Sequence, residues 1–420
     1  MTTVAYLANE FPSPVEPYVM DEITELRRHG INVICCSGKR VAPDALGLAE
    51  RAFWKETRFF QPLTDDELMR AAGRLASDRQ NLWQFLRPLL LDPGASVSRR
   101  IRTLGHTLIG ATMAEELRPF KVQHIHCHHG YFASWMALVA ARLLGIGYSF
   151  TLHGSDLLHR ADLLATKLQA CRFCFTVSDF NRQYILNNYP SVPADRVIVQ
   201  RLGVDRLLPL SANSPRNTGQ HELFCLLAVG RLHRVKDYAF LIQACSVLRD
   251  QGFYFLCRIA GEGPERASLE RQIQHLGLQG RVQLIGHVPR QNLVTFYRQA
   301  DLVVMTSKSE GIPVALMEAM SHGKLVLAPS ITGIPELVQH QQTGFLYQPG
   351  SIPSFTNAVN WIYANRDSLS GIRQAAAAQV TDSYNRQRNL RAFAEVFLAR
   401  ISQSGGEYAH PLLQQVRLSV

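Results

Sequence analysis

Short apolar, β-branched runs alternate with stretches of helical periodicity along most of the chain, in two series. In the first half, residues 4–8, 31–36, 124–128, 148–152, 173–177 and 197–202 read as strands, with helical patterns at 18–28 and 135–144. In the second half the strand candidates are 224–229, 255–260, 282–285, 302–305, 325–328 and 345–347. Helical patterns fit between them at 237–249, 264–276, 291–299, 313–320 and 335–339. Neighbouring parallel strands need a long crossover, usually a helix. Alternation of this kind therefore predicts parallel, doubly wound sheets. Two series predict two sheets, and 420 residues are too many for one core.

The Pro-, Ser-, Asn- and Gly-rich stretch 208–220 has little periodicity and reads as a linker. It would separate an N-terminal domain, 1–207, from a C-terminal domain, 221–380. Residues 381–404 are expected to carry an amphipathic helix that crosses back to the first domain, and 405–420 to form a frayed tail. Residues 65–119 differ from the rest. They are mostly helical by pattern, with Arg70, Arg74, Arg79, Arg87, Arg99, Arg100 and Arg102 set among Leu, Trp and Phe. A helical layer over the first sheet would look like this. So would a basic amphipathic surface resting on anionic lipid.

Hydrophobic residues at 46% and charged residues at 19% exclude a disordered chain. The net charge of +10 suits anionic partners without choosing among nucleic acid, membrane surfaces and phosphorylated substrates. The eight cysteines mostly lie inside apolar runs, where Cys packs as a small hydrophobe. They read as reduced thiols of a cytoplasmic protein. Cys171 and Cys174 have CxxC spacing, yet no second pair accompanies them, and core packing is expected. No signal peptide and no apolar run of about 18 residues is legible, so contact with a membrane would be peripheral.

In an open α/β sheet, ligands bind at loops leaving the carboxyl ends of strands. The loop 230–236 offers Arg231 and Lys236. Arg forks onto two phosphate oxygens and Lys adds a point charge. A solvated basic loop is the plain alternative. The stretch 309–320 holds Glu310, Gly311, Ile312, Pro313 and Glu318. Pro313 suits a first helical position, and free N–H groups beyond it would attract an anion. Two carboxylates beside an anion site suit a ligand with both phosphates and hydroxyls, although Glu318 alone could be a surface helix residue.

The spacing of Glu310 and Glu318, E-x7-E, resembles that of the group 1 retaining glycosyltransferases. Gly230-Arg-Leu with Lys236, Ala260-Gly-Glu-Gly-Pro264, the strand 282–288, the run 319–328, and Gly333-Ile-Pro-Glu followed by Thr343-Gly-Phe-Leu resemble the family's other motifs in the same order. The opening Tyr6-Leu-Ala-Asn-Glu-Phe-Pro12, with Glu16-Pro-Tyr-Val19, resembles a subgroup that builds bacterial exopolysaccharides such as colanic acid. The resemblance implies the GT-B fold, two Rossmann-like domains with parallel sheets facing a central cleft. It implies a nucleotide-sugar donor held by the C-terminal domain, with no metal and no cofactor. By analogy, Glu318 would hold the ribose, Glu310 the transferred sugar, and Gly286, His287 and Val288 the base.

The first half matches more loosely, with no glycine before Gly30. The run His124-Ile-His-Cys-His-His129 invites a metal reading, because alternation puts His124, His126 and His128 on one face. The family carries a similar His-x-His without metal, and none is expected here. His153, in Thr151-Leu-His-Gly-Ser-Asp156, matches a family histidine beside the transferred sugar; a capping His is the alternative. Glu16, His128 and Asp156 are acceptor-side candidates. The expected reaction moves a hexosyl group from a nucleoside diphosphate, UDP rather than GDP, to a saccharide or lipid-linked saccharide hydroxyl with retention. A sugar-nucleotide epimerase and a basic nucleic-acid-binding protein are the rivals. No nucleic-acid motif supports the second.

Overall fold

The structure is a computed structural model that describes residues 1–78, Trp83, Phe85, Arg87, 96–158, 163–205 and 223–403. The proposed linker at 208–220 and the tail at 405–420 lie outside the described residues.

Two parallel sheets form, as the alternation predicts. The first comprises β1 (Thr3–Glu10), β2 (Asn32–Lys39), β3 (Arg58–Phe59), β4 (His124–His128), β5 (Gly147–Leu152), β6 (Cys174–Thr176) and β7 (Val197–Val199) in the order β3-β2-β1-β4-β5-β6-β7. The second comprises β8 (Phe224–Val229), β9 (Phe255–Ala260), β10 (Val282–Gly286), β11 (Leu302–Val304), β12 (Leu325–Pro329) and β13 (Phe345–Tyr347) in the order β10-β9-β8-β11-β12-β13. In each, the order reverses beside the first strand, between β1 and β4 and between β8 and β11. These reversals are the topological switch points where such sheets bind ligands. The strand β3 was not expected; two residues are too few to show a period.

The second sheet is buried on both faces, which is why its strands read as continuous apolar runs rather than as alternation. Leu226, Ala228, Leu302, Val304, Leu325 and Leu327 face one core, with Phe355 and Val359 of the helix Ile352–Asn365. Leu227, Val303, Val326 and Ala328 face the other, with Leu316 and Met320 of the helix Val314–Ser321 and Val380 of the helix Ser370–Ser383.

The described residues divide into two compact units. One draws on the described residues within 1–150, 163–174 and 390–403, the other on those within 151–158 and 175–389. Residues 151–158 and 175–205 thus fall in the unit that holds the second sheet, although β7 and the ends of β5 and β6 are strands of the first sheet. The C-terminal helix, Arg386–Ser402, joins the first unit from Leu390 onward. There Phe397 sets its ring edge-on to His124 and His126, with centroids 5.8 and 5.4 Å away.

In the 65–119 region, Asp65–Ser77 and Val97–Leu117 are helices. The first begins with a capping box between Thr64 and Glu67, which also pulls the Glu67 carboxyl below its ordinary pKa through hydrogen bonds from Thr64. The second buries Thr103, Thr107, Ala111 and Ala114 against the first unit and leaves Val97 and Ile101 exposed. Of Arg79, Arg87 and the leucine-rich stretch between them, only Trp83, Phe85 and Arg87 are described. Phe85 is buried 6.3 Å from the Trp135 ring. No described helix is long and apolar enough to cross a membrane.

Candidate functional site

The second switch point is built from glycines. Gly230 follows β8 and Gly261 follows β9, with φ of 156° and 154°, values that only glycine adopts readily. A Cβ on Gly261 would stand 1.9 Å from the Gly230 carbonyl oxygen, and one on Gly263 2.3 Å from that of Leu232. The two loops are therefore pressed backbone to backbone. The amides of Gly230 and Leu232 donate to the carbonyls of Ala260 and Glu262 at 2.9 and 2.8 Å. This seam fixes the path of the loop 230–236. Arg231 leaves it exposed, with no side-chain partner among the described residues.

Lys236 closes that loop. Its Nζ lies 2.5 Å from Glu310 Oε1. Strand pairing explains the meeting, since β8 and β11 are neighbours and both loops leave the same end of the sheet. Two further bonds hold the loops together. The Thr306 hydroxyl donates to the Lys236 carbonyl at 2.9 Å, and the Lys308 amide to that of Val235 at 2.8 Å. Beneath them Tyr238 has its phenol pKa raised by burial and by the Glu310 charge, so it stays neutral.

Gly311 and Gly333 extend the same packing. A Cβ on Gly311 would lie 1.9 Å from the His153 carbonyl oxygen, and one on Gly333 2.0 Å from that of Gly311. His153 thus sits in the same compact unit as Glu310, with its backbone against Gly311, and not in a unit of its own. The fully buried Asp156 accepts from the amides of His153 and Gly154 at 3.0 and 2.8 Å. Asp156 shapes the turn that carries His153, instead of standing open to a ligand. Ile312 and Pro313 are buried. Pro313 is the N-cap of Val314–Ser321, one place before the first helical position expected for it, and no side chain caps that helix.

Glu318 is not a surface residue. It is 8% exposed, its Oε1 accepts from Arg290 Nε at 2.8 Å, and its Oε2 accepts from the Tyr297 hydroxyl at 3.1 Å. Burial and the Glu318 charge push the Tyr297 phenol well above its ordinary pKa. Gly286, at φ 81°, ends β10, and the exposed His287 and partly buried Val288 follow it, close in sequence to Arg290. Sequence reasoning missed Arg290 and Tyr297, because nothing in their spacing ties them to Glu318. It also missed the role of Glu336 in Gly333-Ile-Pro-Glu. Its carboxylate accepts from the amides of Asp179 and Phe180 at 3.0 and 2.7 Å, at the start of the helix Asp179–Asn188.

The first switch point is different. His128, at the end of β4, is fully buried, and its Nε2 lies 3.0 Å from Glu22 Oε2 and 3.1 Å from the Tyr6 hydroxyl. Tyr6 donates to the same Glu22 oxygen. His129 Nε2 meets Glu16 Oε1 at 3.0 Å, at the start of the helix Pro17–Arg28. Glu22, His126 and His128 offer ligand atoms within 4.8 Å of one another. An ion there would have to replace the bonds to Tyr6 and between Glu22 and His128. His124 and His126 share the Ser149 hydroxyl at 2.7 and 2.8 Å, and burial drives the His124 pKa down to about 3. Cys171 and Cys174 are buried free thiols, and Cys171 Sγ donates to the Leu168 carbonyl.

Comparisons with known proteins bear on the family and the fold. Residues 15–206 match the family model described as Glycosyltransferase Family 4, and residues 212–379 match Glycosyl transferases group 1. The chain is 26% identical over 425 residues to an amylovoran biosynthesis glycosyltransferase of Erwinia amylovora, across 94% of this chain and 98% of that one. Among solved structures, sucrose-phosphate synthase of Thermosynechococcus elongatus superposes with a TM-score of 0.73 at 16% identity, covering 96% of this chain and all of the other. An Anabaena protein, HepE, solved with UDP and glucose, superposes with a TM-score of 0.68 at 19% identity over 95% of this chain and all of its own.

Proposed function

Because the chain belongs to the group 1 and family 4 glycosyltransferases, we propose that it transfers a hexosyl group from a nucleoside-diphosphate sugar to a saccharide hydroxyl, with retention of anomeric configuration and without a metal ion. The observation that carries this reading is the Lys236–Glu310 pair, 2.5 Å apart at the switch point of the second sheet, beside the exposed Arg231. In the free protein the pair neutralises itself. A sugar diphosphate offers each partner something better. The phosphates draw Lys236 and Arg231, and sugar hydroxyls donate to the released Glu310 carboxylate. The uncapped start of Val314–Ser321 adds free N–H groups and the positive end of a helix dipole.

Catalysis then consists of stabilising the leaving diphosphate. The bond from the anomeric carbon to the phosphate oxygen breaks with oxocarbenium character at the sugar. The cations hold the departing charge where a metal ion would otherwise be needed. The acceptor oxygen bonds to the anomeric carbon on the face the diphosphate leaves, and its proton passes to a departing phosphate oxygen. His153, held by Asp156 and packed against Gly311, lines the sugar side.

UDP is the favoured nucleotide, in keeping with the UDP in the Anabaena neighbour. The amylovoran relative favours an exopolysaccharide pathway; a saccharide or lipid-linked saccharide as acceptor and a cytoplasmic location belong to this reading. It also favours transfer over epimerisation. Glu16 and His128 belong to the acceptor half. Val97 and Ile101, exposed close to Arg99, Arg100 and Arg102, suit peripheral contact with an anionic bilayer. The test of the reaction is Lys236→Ala. Transfer should fall by about 10² to 10³ in a protein that melts normally, and full turnover in that variant would remove the site assignment.

A further inference from the structure

We propose that the Tyr238 hydroxyl is a third donor to the departing diphosphate, beside Arg231 and Lys236, and so a further catalytic residue. This rests on the donor reading above and adds to it a group that carries no charge.

Tyr238 opens the helix Tyr238–Asp250 directly after the loop 230–236. Asp237, at φ 50°, turns the chain between Lys236 and Tyr238. Asp is among the few side chains that tolerate that left-handed region, and here its carboxylate meets Lys308 Nζ at 3.2 Å. The tyrosine belongs to the apolar core that holds Leu226, Leu241 and Cys257, and it is 4% exposed. Its hydroxyl reaches back to the start of the loop. A Cβ on Gly230 would stand 2.9 Å from the Tyr238 hydroxyl oxygen and 3.3 Å from Lys236 Cε. The phenol and the lysine stem therefore converge beside Gly230, just past the end of β8.

Six tyrosines are buried among the described residues, and five of them donate a hydrogen bond. Tyr6 donates to Glu22, Tyr148 to the Lys167 carbonyl and Tyr297 to Glu318. Tyr347 donates to the Met305 carbonyl at 3.2 Å and Tyr384 to that of Glu336 at 3.4 Å. The Tyr238 hydroxyl has no partner among the described residues. A buried polar group left unpaired costs stability, and each one calls for an explanation. Its place supplies one. Arg231 and Lys236 mark where phosphate oxygens go, and a neutral O–H beside them donates to an oxygen that gains charge as the bond to the sugar breaks. Burial and the Glu310 charge hold the phenol in its neutral, donating form. Tyr238 keeps its proton throughout, and no bond to it forms or breaks. A third cation at this spot would compete with Lys236 for Glu310, whereas a phenol leaves that pair balanced.

Tyr238→Phe removes the oxygen and keeps the ring. Three measurements test the proposal without knowledge of the sugar or acceptor: calorimetric titration with UDP and GDP, displacement of the bound nucleotide by inorganic pyrophosphate, and a thermal melt of the free protein. Affinity for whichever nucleotide the wild type binds should fall by roughly tenfold or more, the scale of one hydrogen bond to a charged group. Pyrophosphate, which carries the diphosphate alone, should weaken by a similar factor. The melting temperature of the free variant should hold or rise, because an unpaired hydroxyl has no bond to lose. Undiminished nucleotide affinity in the variant overturns the proposal and leaves the donor reading standing. So does a weakened nucleotide with pyrophosphate unchanged, since the hydroxyl would then serve another part of the donor. A lower melting temperature at undiminished affinity overturns it too, by assigning the hydroxyl to the fold. If the wild-type protein binds neither nucleotide, the donor reading fails and the proposal with it.

Discussion

The two switch points share a topology and differ in chemistry. Beside β8 and β11 the strands end in glycine-lined loops, those after β8 and β9 pressed together, that leave two cations there: Arg231 exposed, and Lys236 partly buried with its ammonium on Glu310. Between β1 and β4 the corresponding place is filled by its own side chains. There Glu22, His128 and Tyr6 satisfy one another in the interior. One switch point keeps its polar groups for a ligand, while the other spends them on the fold. The contrast predicts that mutations at the end of β8 should damage activity and spare stability, and that mutations at the end of β1 should do the reverse.

The largest effect should come from Lys236→Ala. Loss of a cation that stabilises a developing diphosphate should lower kcat by about 10² to 10³, the range seen when one such donor is removed, with the melting temperature unchanged. Gly311→Ala comes next. Its Cβ would stand 1.9 Å from the His153 carbonyl oxygen, so the two loops must part. A displacement of about 1 Å at a reacting centre costs roughly 100-fold in rate, to be read in steady-state kinetics beside a thermal melt. At the other switch point, Glu22→Gln should act mainly on stability. It leaves His128 and Tyr6 competing for a poorer acceptor in the interior, at a cost of about 1–3 kcal/mol in chemical denaturation. If Glu22→Gln instead abolished turnover at full stability, the contrast between the two places would be broken.

The smallest effect concerns pH. The folded-state pKa of His124, about 3, lies below its unfolded value, so the unfolded chain takes up the proton first. Stability from this group is complete above about pH 6.5 and declines as pH falls toward 3, by about 2 kcal/mol at pH 5. Denaturation midpoints of His124→Asn should fall less steeply over that window than those of the parent chain.

Much of this was legible in the residues, for identifiable reasons. Twelve strands stood out because buried parallel strands are continuous apolar runs, and the two-residue β3 did not because it has no period. Arg231, Lys236 and Glu310 could be placed at strand ends because β-to-α loops are short. Arg290 and Tyr297 could not, since their bonds to Glu318 join residues 28 and 21 positions apart. Asp156 read as a ligand contact and proved to be a turn-forming carboxylate, a distinction that rests on burial. His128 ended a strand as expected, but its partner Glu22 lies 106 residues away.

The central claim is that the end of β8, and not the end of β1, receives a nucleoside diphosphate without a metal ion. Titration of UDP and GDP in the presence of a strong chelator, into the wild-type protein, an Arg231→Ala/Lys236→Ala double variant and Glu22→Gln, tests it most directly. The account predicts that the wild type and a folded Glu22→Gln bind one of the two nucleotides comparably. The double variant should bind at least about 100-fold more weakly, the loss of two charge-assisted contacts. Undiminished binding by the double variant, or binding only after a divalent ion is restored, would contradict it.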